Sequence, residues 1–271
     1  MAQHMNKLII GVLILMASCR SNQYITIPMR PAVGLTGSAF YQKVIPMSRE
    51  DREVLAVREV LSGNIPPFLK HFIKVKAEVV DSLGQAHQAV YYVAPDYLSI
   101  GSNADFARIP LTPMAAQQIA DGLHCFLPTR KMVNDIYLQS TVQLEPMPLF
   151  AYRDSVVTFW HHHLVIEGQR RQRSGLIGGI KKDVVISGKV PRDPRPHRVA
   201  LYGWHKPDGT PIQPLYTGHV DWYVDYSHGI RLVYRKIRVD GRWMDYQDVL
   251  RHPLLRGLLC DEEFCDFYRY E

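Results

Sequence analysis

Cysteine is scarce in this chain. Four cysteines stand among 271 residues, none of them in a Cys-x-x-Cys pair, and that excludes a thiolate cluster around a structural zinc. No apolar run reaches the roughly 20 residues that a membrane-spanning helix needs. Internal repeats and low-complexity tracts are missing too, which removes solenoids and fibrous folds. Charged residues make up 21% and hydrophobic ones 46%, a balance that builds a packed core and argues against disorder. Lys and Arg outnumber Asp and Glu by 32 to 26, but the positive residues are scattered. Arg170-Arg171-Gln172-Arg173 and Lys181-Lys182 are the only clusters, too sparse for a nucleic-acid stripe. The basic excess suits anionic envelope polymers or lipid headgroups, or else means no more than solubility.

The first residues carry the clearest signal. Met5-Asn6-Lys7 gives a short positive start, Leu8 to Ala17 is apolar with a single Gly, and Met16-Ala17-Ser18-Cys19 follows. That is the layout of an export signal, and its end resembles the lipobox of bacterial lipoproteins, although Met16 stands where that family prefers Leu. The resemblance implies cleavage before Cys19 and acylation of its thiol, leaving the protein anchored through membrane lipid and facing the periplasm or cell surface. The other reading is an ordinary secretory signal with an incidental cysteine. Residues 1–18 are thus expected to be the signal, 19–47 a tether, and 48–271 one folded domain.

Within that domain local patterns define elements. Ser48 caps a helix with acids in its first turn, which Gly63 closes. Val75 to Val79 alternates and pairs across a Leu83-Gly84-Gln85 turn with Ala89 to Val93. Tyr97 to Ile100 is a third short strand. Thr112-Pro113 and Pro128-Thr129 begin two helices, read together as a helical hairpin, and Asp154 or Ser155 begins another that runs to Arg170. Strands fill the rest, punctuated by Lys206-Pro207-Asp208-Gly209-Thr210 and by Asp240-Gly241, a strong hairpin signal. Strands, then helices, then strands give a single α+β domain with a mainly antiparallel sheet. His161-His162-His163 falls inside a helix, where neighbours point about 100° apart, so at best one is expected to face inward.

Reactive side chains are densest between Trp204 and Arg231, and these segments follow strands, so they can converge at one end of a sheet. Three mechanisms fit the residue types. His219 and His228 with Asp221 or Asp225 have the ligand chemistry for a divalent metal such as zinc, which acidifies a water. Ser227 with His219 or His228 and Asp225 has the parts of a nucleophilic triad, outside any Gly-x-Ser-x-Gly elbow. Cys125, ahead of a helix start and of His219, has the chain order of a papain-like thiol. The bland alternative is that these side chains only cap backbone groups and pack strand ends. Arg231 is a candidate for a substrate carboxylate, with Tyr226, His205, Lys182 and Asp183 as further substrate-binding candidates. Cys260 and Cys265 are close enough to bridge in an oxidising compartment, which leaves Cys125 as a small buried hydrophobe.

Two likenesses bear on function. Tyr202-Gly203-Trp204-His205, Pro207-Asp208-Gly209 with Pro211 to Leu215, Asp225-Tyr226-Ser227-His228-Gly229-x-Arg231-Leu232-Val233, Leu127 to Val133 and Lys181 to Val185 resemble segments of a family of uncharacterised bacterial exported proteins. The likeness covers most of the chain and implies export rather than any activity. Ser227-His228-Gly229-Ile230-Arg231-Leu232, with His219 upstream, is similar to the active-site signature of L,D-transpeptidases. Those enzymes put a nucleophilic cysteine where Ile230 stands, so only the substrate class is implied, not the reaction. The expectation is a lipid-anchored envelope hydrolase acting on peptidoglycan or another cell-wall polymer; the rival is a non-catalytic lipoprotein that binds such a polymer or a protein partner. Nucleic acid is not an expected partner.

Overall fold

The computed structural model describes residues 27–271; the signal sequence and Cys19 lie outside them. The first elements are α1 (Gly37–Val44) and α2 (Arg49–Leu61). Ser48 caps α2 by accepting from the Asp51 amide. Gly63 ends it at φ +89, where a β-carbon would stand 2.3 Å from the Pro28 carbonyl oxygen, so only glycine fits. Phe40, Tyr41 and Val44 of α1, and Ile27 before it, are core residues. The stretch expected to be a tether up to residue 47 therefore joins the fold at Ile27 and through α1, while Met29 and Val33 between them stay exposed.

Strands β1 (Ile73–Val80) and β2 (Ala86–Val93) form the expected hairpin, followed by β3 (Ser99–Gly101) and β4 (Phe106–Arg108). Helix α3 (Pro113–Gly122) starts on a Thr112 cap and a first-turn proline, and α4 (Arg130–Leu138) on a Thr129 cap. The two are separated by β5 (Cys125–Phe126). Helix α3 packs chiefly on α2 and α4 chiefly on β1 and a later strand, which departs from the helical hairpin expected of them. The short β6 (Val142–Gln143) precedes α5 (Val156–Arg170), capped by Ser155. Then come β7 (Ile177–Gly178), β8 (Lys182–Val185), β9 (Arg198–His205), β10 (Pro211–Val220), β11 (His228–Gly229), β12 (Val233–Tyr234), β13 (Lys236–Val239), β14 (Arg242–Asp245) and α6 (Tyr246–Arg251).

One sheet runs β14-β13-β2-β12-β5, with β1 also on β2; a second runs β10-β9-β8-β11. Pairing is antiparallel except for β8 with β11 and β6 with β7. Asp240 and Gly241 both take positive φ between β13 and β14, as a two-residue hairpin turn of the primed type requires. One continuous core takes side chains from helices α1 to α6 and from both larger sheets, so the chain is a single α+β domain. No helix among the described residues is long and apolar enough to cross a membrane.

Cys260 and Cys265 form a disulfide with Cα atoms 6.2 Å apart. Closing so short a loop restrains the unfolded chain by about 2 kcal/mol. Replacing both cysteines with serine is expected to lower the unfolding free energy in urea by about that amount; an unchanged midpoint would show that the loop is already fixed by its packing.

Candidate functional site

The second sheet assembles the site. Strand β11 lies parallel to β8 with His228 opposite Lys182, and the Lys182 amide donates to the Ser227 carbonyl at 2.8 Å. Lys182 in turn faces Gly203 of β9. Strand β10 pairs with β9 through two register shifts, after which His219 stands opposite Val199. A turn closed by the Tyr223 amide on the Val220 carbonyl, 3.1 Å, folds the chain back, and a second, His228 amide to Asp225 carbonyl at 3.1 Å, brings His228 home. These two bends do what an extended segment cannot: nine residues of straight strand span about 30 Å, yet the ring centroids of His219 and His228 are 6.1 Å apart. Tyr223 stacks on His219 at 5.2 Å and meets His228 edge-on at 6.2 Å.

His219 and Tyr223 are half-exposed; His228, Asp225 and Ser227 are buried. Asp225 Oδ1 accepts from the Ser227 amide at 2.8 Å and the Ser227 hydroxyl at 2.5 Å, while Oδ2 accepts from Arg153 at 2.7 Å. Burial opposes its charge, but His228, Ser227 and Arg153 outweigh burial and hold the carboxyl down at about 2. His228 Nε2 lies 4.0 Å from Asp225 Oδ1, and neither of its ring nitrogens has a hydrogen-bond partner. Burial pushes His228 down to about 3, with Asp225 pulling weakly the other way. His219 is lowered too, chiefly by burial. At neutral pH the site thus holds two neutral imidazoles beside a carboxylate, the protonation state that a general base requires.

Two more residues complete it: Arg153, which the sequence does not single out, and Trp204, which it places in the cluster without a role. Arg153 comes from the loop before α5, 72 positions from Asp225, and nothing local marks it. Trp204, at φ +60 after Gly203 at +109, holds a conformation rare for a bulky residue, with the Lys182 ammonium 5.0 Å from its ring centroid. A strained backbone of this kind recurs at functional sites, but only coordinates reveal it.

Several candidates fall elsewhere. Ser227 is fully buried with its hydroxyl committed to Asp225, so it shapes the turn and is no nucleophile. Asp221 pairs with His197 at 3.3 Å on the surface, and no group of three His, Cys, Asp or Glu among the described residues could hold a metal ion. The metal set His219, Asp221 and His228 is therefore not formed, because the turn after Val220 sends Asp221 away from His228. Cys125 sits in β5 of the other sheet, buried, its thiol directed at the Leu123 carbonyl. Burial raises its pKa far above the ordinary range, the opposite of an activated thiol.

Arg231 donates to the Ala94 and Ile177 carbonyls and lies 4.2 Å over the Tyr97 ring, so its terminal nitrogens are committed to the core and not to a substrate carboxylate. With Asp183 and His205 it lines a cavity of about 10 Å³, room for one water. Asp183, lifted to about 7 by burial, accepts from the Tyr97 hydroxyl at 3.3 Å, and His205 is held by Asn134 and stacked on Tyr137. Tyr226 is buried, its hydroxyl accepting from the Leu149 amide at 2.6 Å, and braces the Arg153 loop. Of the substrate-binding candidates only Lys182 belongs to the His228 cluster. No family model matches this chain, and no curated protein or solved structure proved similar to it.

Proposed function

We propose that this protein is an exported, lipid-anchored hydrolase of a cell-envelope polymer such as peptidoglycan, working by general acid–base catalysis. The observation that carries the reading is the convergence of His219, Tyr223 and His228 above Asp225, with both nitrogens of the buried His228 left without partners. His228 takes a proton from the attacking water as the water oxygen bonds to the substrate. Asp225, 4.0 Å away, stabilises the imidazolium that forms, and the same proton then goes to the leaving group as the scissile bond breaks. Half-exposed His219 and Tyr223 are the groups in position to pass protons to solvent. The Leu8 to Cys19 pattern supports the location, and so does the Cys260–Cys265 disulfide, which suits an oxidising compartment.

A second reading, a non-catalytic binder of the same polymer, draws on one fact: Asp225 already bonds Ser227 and Arg153 with both its oxygens, so it does not hydrogen-bond His228 as an orienting carboxylate would. The two separate on purified insoluble peptidoglycan. A hydrolase releases soluble fragments with new amino or reducing ends; a binder co-sediments with the polymer and releases none. Neither release nor co-sedimentation would sink both.

A further inference from the structure

We infer that the site seats an oxyanion of its ligand, a carboxylate or phosphate group, on Lys182 beside Trp204. The inference deepens the hydrolase reading by naming a feature of the substrate and rests on that reading for the identity of the site, though the seat is argued from its own geometry.

Strand alternation sets Lys182 apart from Lys181 and Asp183 on either side of it. Lys181 donates to the Tyr226 carbonyl and Asp183 accepts from Tyr97; Lys182 has no such partner. The residue is 6% exposed, yet its ammonium is not among the fully buried unpaired groups, so the nitrogen stays within reach of water or of a ligand. Only the Trp204 ring faces it, at 5.0 Å. A cation over an aromatic face gains about 2 kcal/mol at best when desolvated, whereas removing an ammonium from water costs several. The fold therefore carries a partly desolvated ammonium that an anion would stabilise further.

Asp225 completes that stabilisation only in part: its charge favours the ammonium, but three of its hydrogen bonds already go to Ser227 and Arg153. Around Lys182 further donors are left over: Trp204 Nε1, Arg153 Nε, and whichever nitrogen of neutral His228 carries its proton. Lys182 and Arg153 against the single Asp225 carboxylate leave a net positive charge with both histidines neutral. Several unpaired donors from different elements and one uncompensated cation make a counter-site for an anion, and the same charge repels a metal. A cleft near Phe264, about 600 Å³, differs in kind: its Arg130, Arg192 and Arg195 are each paired, with Asp261, Asp266 and Asp193, and its Lys189 is exposed to solvent.

The test titrates inorganic phosphate, and separately acetate, into the protein at constant ionic strength while following tryptophan fluorescence. Trp204→Phe identifies which part of the signal comes from the site. A saturable change is expected with at least one anion, weakened at least about tenfold in Lys182→Met and largely kept in Lys182→Arg. Preference for acetate points to a carboxylate of a peptide stem, preference for phosphate to a phosphodiester polymer. Far-UV circular dichroism checks that each variant folds, and Lys182→Arg supplies the readout if Lys182→Met does not. No saturable change with either anion, or equal binding by a folded Lys182→Met, overturns the seat. Cleavage of polymer by a protein that binds neither anion overturns the seat alone; anion binding without cleavage of any polymer overturns the hydrolase alone.

Discussion

Acidification from pH 6.5 to 5 is expected to destabilise the native protein steeply, by about 3 kcal/mol per pH unit. Buried histidines drive the change, three of them most strongly. His162 and His163 of α5 are held down to about 2, first by burial and then by Arg108 and Lys181, and His228 to about 3 by burial. In the unfolded chain each returns to about 6.5. Below pH 6.5 the unfolded state therefore binds three protons that the native state refuses, and each contributes about 1.4 kcal/mol per unit against folding. Asp183 acts with the opposite sign. Burial lifts it to about 7, so the native state holds a proton that the unfolded carboxyl releases, which cancels roughly one histidine. His205, lowered to about 4 by burial, adds to the loss, while His87, raised by its bond to Asp240, and at the acid end Glu53 and Asp135, raised by burial, oppose it. Two histidines net against a total stability of about 5–15 kcal/mol put the acid transition well above the range of an ordinary globular domain. Urea midpoints taken between pH 7 and 5 measure this directly. A midpoint that stays flat over that span would show that the buried histidines find partners on protonation, and the prediction would fail.

Local chemistry made much of the fold legible. The Ser48, Thr112 and Thr129 caps, the Asp240-Gly241 turn and the β1–β2 hairpin are each set by a few neighbouring residues, and each stands where the sequence put it. Pairings across long separations were not legible. The two-residue β11 joins β8 from 46 positions away, and that contact alone sets Lys182 against His228. Helix α5 shows the same limit. His162 packs on Tyr226 while His163 packs on Trp160 and Phe106, so two consecutive side chains are both buried where at most one was expected. The helix is covered over more than one face, which its own periodicity does not reveal. In the site, sequence brought forward the right segment but could not sort roles. Ser227, His228 and Arg231 look equally chemical in a row; coordinates show one locked into a turn, one without partners and one bonded to carbonyls deep in the core.

The separation of roles gives the sharpest expectation for catalysis. His228→Gln keeps the approximate volume and one donor but cannot titrate, and it is expected to lower kcat on the polymer by about 10²-fold, the low end for a positioned base, because burial makes this imidazole a weak one. KM should change little, because the anion seat on Lys182 is left intact. Asp225→Asn should cost less than His228→Gln, since Asp225 stands 4.0 Å from the ring and acts through its field rather than through a bond. The pH profile gives a second, independent readout. A base with an ordinary histidine pKa loses activity below about 6.5, but His228 stays neutral down to about 3, so its own titration should not limit kcat anywhere the protein is folded. The acid limb should instead follow unfolding: activity and native circular dichroism are expected to fall together and to return together when the pH is restored. An acid limb near 6.5 in protein that is still fully folded would assign the base to His219, whose half-exposed ring is lowered less securely by burial. Full activity in His228→Gln would remove the acid–base reading of the cluster and leave the polymer-binding one.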